Sequence, residues 1–215
     1  MSNHVPAHEQ LNSSHWNGSD KTHSENLIKK EGDAICISPK ALTIIWGNSD
    51  RFWKWVKLSE WKFEEGAELI QVSWIEVTGK VEINRLSHSK TYEVFFHIKF
   101  KDDAFGWHHT PVIFEVVTPD GKKHRRSVLL ETFREDKTLQ PIYAGEFDLP
   151  SGHHDREIVR FGMYEVESQW WKGGIILGGV ELRPKKASST TNRGIEMDED
   201  GKGGKGSRRS FFCCC

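Results

Sequence analysis

The residues in this chain best suited to chemistry are indoles. Trp46, Trp53 and Trp55 crowd into one stretch, ALTIIWGNSDRFWKWVKL, running from Ala41 to Leu58. A flat, weakly polar ring beside a turn suits stacking on the apolar face of a pyranose or on a nucleobase. Gly47-Asn48-Ser49-Asp50 supplies the turn chemistry. In an extended segment after it, Phe52, Lys54 and Val56 point one way and Trp53 and Trp55 the other. One aromatic set then enters a core while the other stays near a surface. The competing reading buries all three indoles, because Trp is usually largely buried.

A second candidate is Glu165. In EIVRFGMYEVE, from Glu157 to Glu167, Val159, Phe161 and Met163 share a face and Glu165 continues that column. A carboxylate there must be paired, hydrogen-bonded or at the mouth of a cleft, since burying it bare is costly. Catalysis is not expected. No carboxylate pair stands at a defined spacing, no Gly-rich phosphate loop is present, and Glu64-Glu65 reads as a solvated turn. His4, His8, His15 and His23 are irregularly spaced with no cysteine nearby, so neither a metal nor another cofactor is expected. Trp107-His108-His109 either lines a site or covers a core edge. Lys122-Lys123-His124-Arg125-Arg126 reads as a solvated basic hairpin arm.

These residues need a scaffold, and composition points to an all-β one. The 215 residues carry a formal charge of -1, which excludes a general electrostatic affinity for nucleic acid. Aromatic residues make up 11% of the chain and helix formers are sparse. No run approaches the roughly 18 apolar residues of a membrane-spanning helix. The first residues show no apolar signal region. Cys36 is alone in the body of the chain, so no disulfide framework forms and a reducing, cytoplasmic or nucleocytoplasmic home is expected.

Thr91 to Phe100 alternates apolar and polar residues with period two, the pattern of a long strand with one core face. Further strands are expected at Ala34–Ser38, Ala41–Trp46, Glu68–Val77, Val112–Thr118, Ser127–Glu131, Tyr143–Leu149, Glu157–Glu167 and Ile175–Arg183. Turns are expected at Thr78-Gly79-Lys80 and Pro119-Asp120-Gly121, and a loop over Lys101–Thr110. Strands spaced by turns, with no credible helix between them, predict an antiparallel β-sandwich. The expected organisation is a disordered leader over 1–32, one domain over 33–186, and a disordered tail over 187–215.

The tail ends in Cys213-Cys214-Cys215, behind Lys202, Lys205, Arg208 and Arg209. Four basic residues contribute about 4 kcal/mol toward an anionic leaflet. With S-acylation or geranylgeranylation of the cysteines they would give peripheral membrane association. Intermolecular disulfides are the alternative fate of these thiols.

Three blocks carry a family resemblance. AICISPKALTIIWGNSDRFWKW, from Ala34 to Trp55, resembles the opening of the phloem protein 2 and Nictaba-type plant lectin domain, an ISxxxLxIxW strand followed by aromatic-W-x-W. AELIQVSWIEVTGKVE looks like the family's next block, and YEVESQWWKGGIILGGVELRPK is similar to its close. The resemblance implies a jelly-roll-like β-sandwich that binds N-acetylglucosamine oligomers or the N-glycan core without catalysis. It implies sugar-binding roles for Trp46, Trp53 and Glu165. A second family carboxylate, seven residues before Glu165, falls here on Ile158, and the adjacent Glu157 alternates to the other face. The resemblance makes RNA or phloem proteins the alternative partners to a glycan; a sieve-element location and a homodimer are further expectations.

Overall fold

The structure, a computed structural model, describes residues 14–18, 26–87, 90–149 and 157–186. In chain order its strands are β1 (Trp16–Asn17), β2 (Ile28–Glu31), β3 (Ala34–Ile37), β4 (Thr43–Ile44), β5 (Trp53–Lys57), β6 (Glu65–Leu69) and β7 (Ile75–Glu82). They continue as β8 (Lys90–Phe105), β9 (Val112–Val117), β10 (Lys123–Val128), β11 (Gln140–Leu149), β12 (Ile158–Glu165) and β13 (Gly173–Pro184). One sheet has the order β1-β4-β7-β12-β9-β10. The other runs β11-β8-β13-β3-β2, with β6 also on β13 and β5 on β6. Every described pairing is antiparallel. The fold is an all-β sandwich, as the strand pattern predicts.

Period two in Thr91–Phe100 becomes β8, whose Tyr92, Val94, Phe96, Ile98 and Phe100 are all buried between the sheets. Phe96 meets Phe114 and Phe161 of the opposite sheet edge-on, with ring centroids 5.2 and 6.2 Å apart. Burying each such side chain contributes about 1.5–3 kcal/mol. The Pro119-Asp120-Gly121 turn forms as expected. Gly121 takes φ 82°, and the Thr118 N–H donates to Lys122 O at 3.0 Å.

Several elements differ from expectation, each for a physical reason. Thr78-Gly79-Lys80 lies inside β7 and is no turn. Gly79 is there for clearance: a Cβ on it would sit 2.3 Å from Phe161 Cε2 and 2.7 Å from Leu42 Cδ2. The expected single strand over Glu68–Val77 is broken between β6 and β7. There Ile70 N–H donates to Phe52 O, and Val72 pairs with Lys172. Ala41–Trp46 yields only the two residues of β4, because a 3-10 turn at Pro39–Ala41 precedes it and Trp46 at φ 64° ends it. Where a loop is expected from Lys101, β8 instead runs on to Phe105. Leu130–Phe133 is a 3-10 turn beyond the end of β10.

Two pieces of the expected leader carry strands. Trp16 of β1 packs edge-on against Trp55, centroids 5.0 Å apart, and its Nε1 donates to Lys40 O at 3.1 Å. Ile28 of β2 is buried opposite Ile37. Such short edge pieces have no periodicity to read, because neighbours distant in sequence hold them. Residues 1–13 and 19–25 of the leader, the 187–215 tail, the basic residues there and Cys213, Cys214 and Cys215 lie outside the described residues.

Candidate functional site

Glu165 ends β12 and is 3% exposed. Ser168 donates to it twice, N–H to Oε1 at 2.9 Å and Oγ–H to Oε2 at 2.8 Å, and the Lys172 ammonium closes an ion pair with Oε2. Lys172, 1% exposed, also donates from Nζ to Ser73 O at 3.0 Å and Trp170 O at 2.9 Å. All three ammonium hydrogens are thereby used. Burial alone would push the Glu165 carboxyl up. The Lys172 and Ser168 hydrogen bonds outweigh it and hold the group below the usual carboxylate range. Val72 and Lys172 exchange backbone hydrogen bonds of 2.9 and 2.8 Å. A sealed ion pair thus ties the β12–β13 loop to the segment before β7.

This mount carries exposed rings. Trp170 and Trp171 are 58% and 48% exposed, and Trp74, next to the Ser73 that binds Lys172, is 47% exposed. His109 stacks on Trp170, with centroids 4.5 Å apart and planes 18° from parallel. Trp107 pins the β8–β9 loop from beneath. It is buried and donates Nε1–H to Gly173 O at 2.8 Å, while His108 and His109 stay exposed. Gly106, at φ 82°, permits the close approach: a Cβ on it would meet Trp171 O at 2.0 Å. These exposed rings, the indole platform, stand on backbone tied together by two buried anchors, the Glu165–Lys172 pair and Trp107.

Of the three residues read from sequence, the structure leaves one ring near the surface. Trp46 is half-buried, donates its backbone N–H to His15 Nδ1 at 3.0 Å, and touches His15 and Phe52 at ring distances of 5.0 and 5.6 Å. Ile45 N–H bonds Glu76 O, which sets Trp46 beside β7, at the same end of the sheet as Glu165. Two strand spacings, roughly 10 Å, separate them. Trp53 is 3% exposed and donates Nε1–H to Ile45 O at 3.1 Å, so it offers no ring face to solvent. Both Glu165 oxygens are engaged inside the protein. Trp74, Trp170 and Trp171 are the surface rings that sequence reasoning missed, while His109 belongs to the Trp107-His108-His109 run it did single out. The legible signal is Trp170-Trp171 set in a Gln-Lys-Gly-Gly turn, where local sequence supplies no core to receive two indoles.

Residues 32–184 match the family described as Phloem protein 2. The chain belongs to the phloem protein 2 family. It is 33% identical over 162 residues to PHLOEM PROTEIN 2-LIKE A1 of Arabidopsis thaliana, covering 74% of this chain and 64% of that protein. It is 35% identical over 156 residues to the putative F-box protein PP2-B12 of the same plant, covering 70% and 61%. The chain spans about two fifths to two thirds of the length of the curated relatives it matches, from 39% of PHLOEM PROTEIN 2-LIKE A5 to 66% of F-box protein PP2-B15. Among solved structures, a GH26-CBM35 β-(1,4)-mannanase of Podospora anserina is similar at TM-score 0.43 and 9% identity, over 73% of this chain and 29% of that one. The matched phloem protein 2 region includes the whole indole platform and its ion pair. It stops short of His15 and Trp16, so their packing on Trp46 and Trp55 lies outside the family's matched residues.

Proposed function

We propose that this phloem protein 2 member is a non-catalytic, carbohydrate-binding lectin that stacks a glycan on its exposed indoles. N-acetylglucosamine oligomers or the N-glycan core are the ligands. The observation that carries the reading is Trp170, an indole 58% exposed that stacks on His109 and whose backbone carbonyl accepts from Lys172. A ring fixed before binding loses little rotamer entropy on contact. One stacked ring contributes about 1 kcal/mol beyond its buried area. In this reading Trp46 flanks the site beyond β7, while Trp53 and Glu165 act as positioning residues that hold its frame. Binding at one shallow site is weak and gains from multivalency.

Calorimetric titration with an N-acetylglucosamine trimer tests this. Trp170→Ala and Trp171→Ala should each weaken binding by roughly tenfold, about 1.4 kcal/mol, at an unchanged melting temperature. Unaltered affinity in both variants would overturn the reading. A phloem RNA- or protein-binding surface is the competing reading, favoured by the exposed basic strand β10. Its affinity would fall steeply with salt, whereas stacking on a neutral sugar would not.

A further inference from the structure

The outer face of the six-stranded sheet carries a pattern that the indole platform does not use. Val159, Phe161 and Met163 of β12 are buried in the core, so Arg160, Gly162 and Tyr164 point outward. Lys80, Arg160, Val117 and Lys123 are direct cross-strand neighbours in a single row. Lys80 has an interaction partner of its own.

The next row reads Thr78, Gly162, Glu115, Arg125. Glu115 is buried, accepts from Arg125 Nε, and lies 4.0 Å from Lys123 Nζ. One carboxylate thus answers two cations. Arg160, by contrast, is exposed and makes no ion pair among the described residues.

Between these groups lies a ring. Tyr164 folds back over Gly162, where a Cβ would sit 2.3 Å from the phenol oxygen and 2.4 Å from Cζ. Only glycine leaves that room. The half-buried phenol therefore lies along the sheet. Burial first, then the charges of Glu115 and Glu76, push its pKa up to about 12, and it stays a neutral hydrogen-bonding group.

We propose that this face is a second glycan-binding surface, specific for an acidic oligosaccharide whose sugar ring rests on Tyr164 and whose carboxylate is taken by Arg160. A guanidinium with no competing partner is suited to bidentate carboxylate binding. Glu76, half-buried opposite Tyr164 on the same face, can accept the hydroxyl hydrogens of a sugar chain, which a polyphosphate does not carry. The inference stands on different residues from the indole platform and does not depend on it.

The test is a titration of the full chain, followed by backbone and side-chain NMR shifts, with a galacturonic acid trimer and its fully methyl-esterified form. The free acid should bind, shift Tyr164 and Arg160, and weaken as salt is raised. The ester should bind at least about tenfold more weakly. Arg160→Ala, at an exposed site, should fold normally and lose roughly tenfold in affinity for the acid, the size of one charge-assisted hydrogen bond. Trp170→Ala should leave that affinity unchanged, which separates this surface from the platform. Equal binding of acid and ester, no effect of Arg160→Ala, or binding of polyuridylate in place of the acid would overturn the proposal.

Discussion

Replacing Lys172 by alanine should lower the unfolding free energy by about 3–5 kcal/mol, because it leaves the Glu165 carboxylate buried without its partner. It also strips a donor from Ser73 O and Trp170 O, the two carbonyls that lock the platform. Urea unfolding would read the loss, and a fall of less than about 1 kcal/mol would show that the pair is not the mount described. Replacing both partners, Glu165→Met with Lys172→Met, should recover most of it, since the desolvated charge goes with them. The pH dependence follows from the same pair. The folded carboxyl of Glu165 sits below its ordinary value of 4.5, so its contribution is present above that value and is lost as pH falls through the folded one. Glu165→Gln should flatten that acid limb.

Trp53→Ala should also destabilise by about 3–5 kcal/mol, through the cavity left in the core. It loses the indole hydrogen bond to Ile45 O as well. For a domain of this size each kcal/mol shifts the melting temperature by roughly 2–4 °C, so the drop is on the order of 10 °C. Trp170→Ala, on an exposed ring, should stay within about 0.5 kcal/mol of wild type. A thermal melt of the two variants side by side separates the indole that builds the frame from the indole that meets solvent. Equal losses would mean that this division is wrong.

What could be read from the sequence followed the range of each interaction. The alternation in Tyr92–Phe100 is a local signal, and Tyr92, Val94, Phe96, Ile98 and Phe100 of β8 fill the core as it predicts, although Phe95 and His97 on the opposite face are buried as well. The apolar column through Val159, Phe161 and Met163 marked Glu165 as a carboxylate in need of partners. Its partner could not be read, because Lys172 lies just before β13 and reaches Glu165 only once it bridges to Val72, distant in the chain. Parity along β5 also holds, with Lys54 exposed between Trp53 and Trp55. Parity says which rings share a side. That side is closed by Trp16, far upstream, and by the turn carbonyl of Ile45. The exposure of Trp74, Trp170 and Trp171 is non-local in the same way, since three loops from distant parts of the chain set it. Gly79 misled for a different reason: glycine read as flexibility was there to admit Phe161.

The most direct test follows the indole Nε1–H resonances while an N-acetylglucosamine oligomer is titrated into the full chain. Trp170, Trp171 and Trp74 should shift together with saturation, while Trp53 and Trp107, hydrogen-bonded in the core, stay still. Saturable binding that moves none of the three exposed indoles, or that moves Trp53 alone, would contradict binding at the platform.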